Sequence, residues 1–167
     1  FDATLLRGSQ PEQTQGYISD VLTDEAIRYI TAQKSQPFFC YVSYNSPHSP
    51  YQVPDKYFDK FKAKGLDDTL AAFYGMCENI DDNVGRLLDH LSQQRIADNT
   101  IVLFLTDNGG TAGVKTYNAG MRGGKTSVHE GGSRVPLFVR WPAAKWQPHD
   151  VAPIASHIDI LPTLLDL

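Results

Sequence analysis

The sequence predicts an α/β fold, with helices layered on a mainly parallel sheet. Two short apolar runs, residues 38–44 and 100–106, have the length and the aromatic and β-branched content of buried strands. Between them, Leu70, Phe73, Tyr74, Cys77, Ile80, Val84, Leu87, Leu88 and Leu91 recur at spacings of three and four, with charges on the other face. That pattern predicts a helix over 68–94. A helix joining two apolar strands is the sequence form of a crossover unit, the connection that parallel strands need.

The remaining elements follow in order. Residues 1–19 are polar and turn-rich, with Gly8, Pro11 and Gly16, and predict an irregular lead-in to an α/β unit over 20–167. A helix is expected over 20–33, where Val21, Leu22, Ala26, Ile27 and Ile30 share a face. Asp24 and Glu25 suit its positive N-terminal end, and Pro37 stops any continuation. The strand over 38–44 runs into Asn45-Ser46-Pro47-His48-Ser49-Pro50, which its two prolines hold extended. Residues 54–64 suit a short amphipathic piece on the surface. After the long helix, Asp98-Asn99 turns the chain into the strand over 100–106. Residues 107–132 are glycine-rich with little apolar periodicity, and a loop that long in a compact domain is usually functional. A third strand over 134–141 is closed by Pro142, and residues 143–153 form a polar loop. A last helix begins near Asp159, with Pro162 in its first turn, where proline is tolerated.

Composition removes several function classes. Of 167 residues, 41% are hydrophobic and 20% charged, which supplies a core and excludes a disordered chain. No apolar run approaches the ~20 residues of a membrane-spanning helix. The formal charge is −4 and the basic residues are scattered, which speaks against a nucleic-acid partner held by bulk charge. Cys40 and Cys77 lack metal-ligand spacing and read as buried thiols. The first residues, Phe1-Asp2-Ala3-Thr4, carry none of the features of a signal peptide, and the chain is expected to lack an N-terminal part.

Ligands in open α/β sheets collect at the carboxyl ends of strands, and three segments fall there. Asp107-Asn108-Gly109-Gly110 follows the strand over 100–106 directly. Neighbouring side chains diverge along a strand, but a turn through two glycines lets both point into one site. A carboxylate and a carboxamide oxygen are hard ligands suited to Ca²⁺ or Mg²⁺, although calcium takes about six to eight oxygens and two are not enough. The same segment also suits a plain turn that caps the next element. His48, fixed between Pro47 and Pro50, is a candidate proton donor or merely a surface histidine. Gly123-Gly124-Lys125-Thr126 lets the backbone approach an oxyanion while the ammonium supplies charge, or it is a solvated loop lysine. Residues 119–126 nearly match a phosphate-binding loop, but Ala119 stands where the first glycine belongs and no strand precedes it.

Five blocks, taken in order, resemble a known family. The strand ending in Pro47-His48-Ser49-Pro50 is similar to the apolar strand and P-H-x-P of the type I, formylglycine-dependent sulfatases. Asp81-Asp82-Asn83-Val84-Gly85 resembles their D-x-x-V-G, and Asn99-Thr100 with Thr106-Asp107-Asn108-Gly109-Gly110 resembles their N-T…[ST]-D-N-G. Gly123-Gly124-Lys125 with Glu130-Gly131-Gly132-Ser133-Arg134-Val135-Pro136 resembles G-G-K…E-G-G-x-R-V-P, and Asp159-Ile160-Leu161-Pro162-Thr163 resembles D-[IL]-x-P-T. The resemblance implies an alkaline phosphatase-like α/β fold, mainly parallel, present here as the C-terminal portion of a catalytic domain. It implies sulfate-ester hydrolysis, with Asp107 and Asn108 as two ligands of Ca²⁺ (Mg²⁺ being possible). Lys125 would contact the sulfate and the leaving oxygen, and His48 would bind a sulfate oxygen or protonate the leaving alcohol. A sulfated small molecule or carbohydrate is the implied substrate, and a periplasmic or secreted protein the implied setting.

The departures from the family pattern are specific. The family forms formylglycine from the first residue of C/S-x-P-x-R, and neither Cys40-Tyr41-Val42, nor Cys77-Glu78-Asn79, nor any serine fits. The paired aspartates that complete the metal site are absent, and His129 stands where an aromatic residue is common. The expectation is therefore a portion that is inactive alone and binds Ca²⁺ weakly if at all, with formylglycine in the missing N-terminal part. Two alternatives remain, a phosphoryl or phosphonate hydrolase of the same superfamily and a non-catalytic binding protein on the same scaffold.

Overall fold

The computed structural model describes residues 1–167. Its elements run β1 (Thr4–Arg7), β2 (Gln10–Gln13), α1 (Ile18–Gln33), α2 (Asp55–Lys62), α3 (Asp68–Gln93), β3 (Val102–Leu105), α4 (Glu130–Ser133), β4 (Leu137–Arg140) and α5 (Ile160–Asp166), with 3-10 turns at Ala97–Asn99, Ala112–Lys115, Pro142–Ala144 and His157–Asp159. The long helix α3 is the spine, with α1 and α2 both packed on it. It starts where the Asp67 side chain accepts from the Leu70 backbone N–H at 2.9 Å, satisfying a donor that the helix itself leaves free.

Two apolar clusters hold the helices. Tyr17, Val53, Tyr57, Ala72 and Met76 fill the space between α2 and α3. Ile30, Leu91 and Ala97 join α1 to the C-terminal end of α3, with Phe38 and Val102 packed against them. The expected surface piece, α2, is thus tied into the core through Tyr57. Between α1 and α3 lies a polar lock: Asp20 Oδ1 accepts from Asn79 Nδ2 at 2.9 Å and from Asn83 Nδ2 at 2.8 Å. Both asparagines are fully buried on α3, so their amides rely on protein partners alone.

Residues 1–19, expected to be irregular, open instead as an antiparallel hairpin of β1 and β2 around Gly8, whose φ of +62° suits the turn. Its strands are short and largely exposed, and the adjacent Leu5 and Leu6 of β1 break any polar–apolar alternation, which is why they leave no periodic signal. Arg7 binds Glu12 within the hairpin and Glu25 of α1, and its hydrogen bonds hold both carboxyls below their usual range.

The helices and small sheets make a partial α/β layer, but its strands do not pair in parallel within this chain. β3 and β4 are antiparallel, with Leu105 opposite Leu137 and Val102 opposite Arg140. The connection between them is a glycine-rich loop that begins and ends at the same end of β3, and a parallel pair would need a crossover to the other end. Residues 38–44 are extended without belonging to a ladder. Their burial nevertheless alternates strictly: Phe38, Cys40, Val42 and Tyr44 face inward, while Phe39 and Tyr41 are 74% and 78% exposed. Tyr44 anchors the inner face through a 2.7 Å hydrogen bond between its hydroxyl and Thr23 Oγ1.

The chain exposes 11741 Å², against roughly 8,200 Å² for a compact monomer of its mass. The surplus includes Phe39, Tyr41, Phe138, Ile154, Ile158, Leu161 and Leu165, side chains that ordinarily help build a core. No helix is long and apolar enough to cross a membrane. The polar lock gives a direct test of how α1 is held. Asp20→Ala leaves two buried amide groups short of an acceptor, and urea unfolding of the protein should show a loss of about 1.5–3 kcal/mol.

Candidate functional site

The end of β3 is gripped from several sides. Thr106 carbonyl oxygen accepts from His157 Nε2 at 3.0 Å, which brings the turn before α5 onto the strand end. Asp107 and Asn108 come next. Their side chains, which would diverge on a regular strand, meet here: Asn108 Nδ2 donates to Asp107 Oδ2. The chain then turns through Gly109 and Gly110, and each glycine docks on another stretch of backbone. Gly109 N–H donates to Gly132 carbonyl oxygen at 3.0 Å, and Gly110 carbonyl oxygen accepts from Lys125 N–H at 3.0 Å.

These contacts need glycine. A Cβ on Gly109 would lie 1.8 Å from Gly131 carbonyl oxygen, and one on Gly132 would lie 2.1 Å from Ser127 carbonyl oxygen. Gly131 and Gly132 are buried within the four-residue helix α4, a stretch without the apolar periodicity that predicts a helix. Gly131 N–H also donates to Arg122 carbonyl oxygen at 2.8 Å. The loop is therefore a folded body in which strand end, lysine loop and α4 are joined main chain to main chain.

Lys125 leaves this body half-buried, and its ammonium takes part in none of the chain's seven ion pairs. His48 lies on the exposed loop after residues 38–44, with its N–H donating to Asn45 carbonyl oxygen at 3.0 Å and Nδ1 at 2.7 Å from Ser49 carbonyl oxygen. Three residues on, Tyr51 hydroxyl sits 3.0 Å from Thr111 Oγ1, so the loop that bears His48 is tied to the turn that follows Asp107 and Asn108. The chain thus brings Asp107 and Asn108 into contact, bonds the backbone beside them to Lys125, and links that turn to the His48 loop. Tyr51, Thr111, Asn118 and His157 supply links that sequence reasoning missed. His157 and Asn118 bind main-chain atoms and Tyr51 and Thr111 bind each other across the fold, so no spacing rule marks them.

Two groups implied by the family pattern can be set against these residues. Asp107 and Asn108 offer hard oxygen donors on an open turn, which suits one edge of a divalent-cation site. No group of three or more His, Cys, Asp or Glu side chains in the chain is arranged to hold a metal ion, so Asp107 and Asn108 stand here as two donors and not as a full ligand set. Neither cysteine suits the formylglycine role. Cys40 faces inward from the extended segment, Cys77 lies on α3, and burial pushes both thiols up, keeping them neutral at pH 7.

Comparison with known proteins gives a consistent picture. The profile of the family described as Sulfatase matches residues 3–167. The chain is 36% identical, over 98% of its length, to an uncharacterised sulfatase of Escherichia coli (strain K12), YdeN. It is 31% identical, over 90% of its length, to an N-acetylgalactosamine-6-O-sulfatase of Bacteroides thetaiotaomicron. Among solved structures, Ps i-CgsB in complex with k-i-k-neocarrahexaose superposes with a TM-score of 0.78 at 33% identity, covering 84% of this chain and 32% of that one. The chain spans about three-tenths of the length of these curated relatives.

The glycine contacts make the loop sensitive to a single methyl group. Gly109→Ala must push two backbone segments apart and should cost about 1–3 kcal/mol, as overpacking does in a core. Thermal melting of the protein that carries this chain checks the cost, and Gly85→Ala is the control, because a Cβ there meets nothing within 4 Å.

Proposed function

The chain belongs to the sulfatase family, and on that premise we propose that it is the C-terminal portion of a sulfatase catalytic domain, supplying ligands for the metal and for the sulfate group. Its helices and small sheets are part of the alkaline phosphatase-like α/β fold of the family's solved structures. The observation that carries the proposal is local. Asp107 and Asn108 meet on a turn whose Gly110 carbonyl oxygen accepts from the backbone N–H of Lys125. Hard oxygen donors and a free ammonium on one rigid loop are what a polyoxygenated anion bound beside a divalent cation requires.

In this reading Lys125 neutralises charge on the sulfuryl oxygens and on the departing ester oxygen. His48, on its proline-bounded loop, binds a sulfate oxygen or hands a proton to the leaving alcohol. Asp107 and Asn108 hold one side of a divalent ion, Ca²⁺ with Mg²⁺ as the alternative, whose further ligands come from the rest of the longer protein. When bound, such an ion withdraws charge from the sulfuryl oxygens as a Lewis acid. The formylglycine that the family uses is likewise supplied from outside these residues. The substrate is a sulfated carbohydrate. Support comes from a relative named for N-acetylgalactosamine-6-O-sulfate and from a neighbour solved with a neocarrahexaose. The whole protein works in the periplasm or outside the cell, where such polymers are met.

Three measurements test this. The isolated chain should hydrolyse no sulfate ester, and turnover by it would overturn the division of labour. In the complete protein, Lys125→Ala should lower the rate on a sulfated oligosaccharide by about 10²–10³. A complete protein that prefers phosphate or phosphonate esters would overturn the sulfatase reading, and one that turns over neither would mark a binding protein on this scaffold.

A further inference from the structure

We propose that Asn118 is a positioning residue that fixes where Lys125 stands, a role that rests on the reading of Lys125 as a sulfate-binding cation. Both hydrogens of its carboxamide are spent on the main chain just ahead of the lysine. Asn118 Nδ2 donates to Met121 carbonyl oxygen at 2.8 Å and to Gly123 carbonyl oxygen at 2.8 Å. The Met121 N–H returns to Asn118 carbonyl oxygen at 2.8 Å, so residues 118–123 close into a ring of hydrogen bonds.

This stretch needs such a device. Ala119, Gly120 and Gly123 all have positive φ, at 49°, 73° and 82°. Alanine resists that conformation, and no helix or strand is present here to offset it. The side chain also has a prepared seat. A Cβ on Gly131 would lie 2.7 Å from Asn118 Nδ2, so the carboxamide lies where only glycine leaves room. The turn it closes is then stitched on both sides. Arg122 carbonyl oxygen accepts from Gly131 N–H at 2.8 Å, and Lys125 N–H donates to Gly110 carbonyl oxygen at 3.0 Å.

Asn118 therefore acts through the backbone rather than on substrate, since its donors are already engaged. Without them, residues 119–123 lose the contacts that hold their left-handed turn. The Lys125 Cα is then registered against Asp107 and Asn108 by the Gly110 bond, with a slackened turn between it and the Arg122–Gly131 bond. A misplacement of about 1 Å in a charge-stabilising group costs up to roughly 10² in rate.

The experiment uses the complete protein and two substitutions that share only the loss of the donors. Asn118→Asp keeps the shape but presents oxygens to two carbonyls, and Asn118→Ala removes the donors without adding charge. Both should lower kcat on a sulfated oligosaccharide by about 10–10² with little change in KM. Neither should slow a Lys125→Ala enzyme further, because the two residues act as one unit. Unchanged kcat in either variant, or a further tenfold loss on top of Lys125→Ala, overturns the proposal. A second readout needs no activity. Trypsin cuts after Arg122 and Lys125, and both variants should be cut there about tenfold faster, with no acceleration after Lys34. If the complete protein hydrolyses no sulfate ester, the reading of Lys125 falls, and the cleavage rates still decide whether Asn118 locks the loop. Unaltered cleavage there overturns the lock.

Discussion

The candidate site depends on the close contact of main chain at Gly109, Gly131 and Gly132. Each supplies a main-chain surface without a side chain, and together they let the strand end, the lysine loop and α4 approach to hydrogen-bond distance. A side chain at Gly109 or Gly132 would hold the neighbouring segment an atom's width away. Because the joints are between peptide groups, they have little rotamer freedom to lose, and the loop can be rigid without burying much apolar surface. That suits a site which must stay open to solvent and still hold a charge in a fixed place.

Helices were the most legible part of the fold. The bounds of α1 and α3 follow from apolar residues at three and four, although α1 begins at Ile18, so that Asp20 and not Asp24 or Glu25 stands in its first turn. Strand content was legible too, since β3 and β4 fall inside the expected apolar runs. Their antiparallel pairing was not, because it is set by where the glycine-rich loop returns, and that is decided by contacts far apart in sequence. The hairpin of β1 and β2 escaped notice because β2 is polar on both faces and β1 puts Leu5 and Leu6 side by side, so neither strand carries an alternation to read.

The candidate site divides in the same way. Asp107, Asn108, Lys125 and His48 were visible because chemistry-bearing residues stand beside glycine or proline. The residues that hold them were not visible. Asn118 binds two carbonyl groups, His157 binds one, and Tyr51 meets Thr111 sixty residues on. Each of these is an ordinary polar side chain until the fold brings its partner near. Motif reading finds chemistry-bearing groups beside glycine or proline more readily than the groups that bind the backbone.

The extended segment over 38–44 carries a consequence for how such a protein is made. Its inner side is packed, its outer side shows Phe39 and Tyr41 to water, and its peptide groups have no ladder partner. An aromatic ribbon of that kind, without a charged residue or an internal proline, is a template for pairing with any similar ribbon nearby. In a cell or an expression host, the yield of native protein would then be governed by a race. Other parts of the polypeptide must cover the ribbon before a second nascent copy does, and crowded, fast synthesis favours the inclusion body.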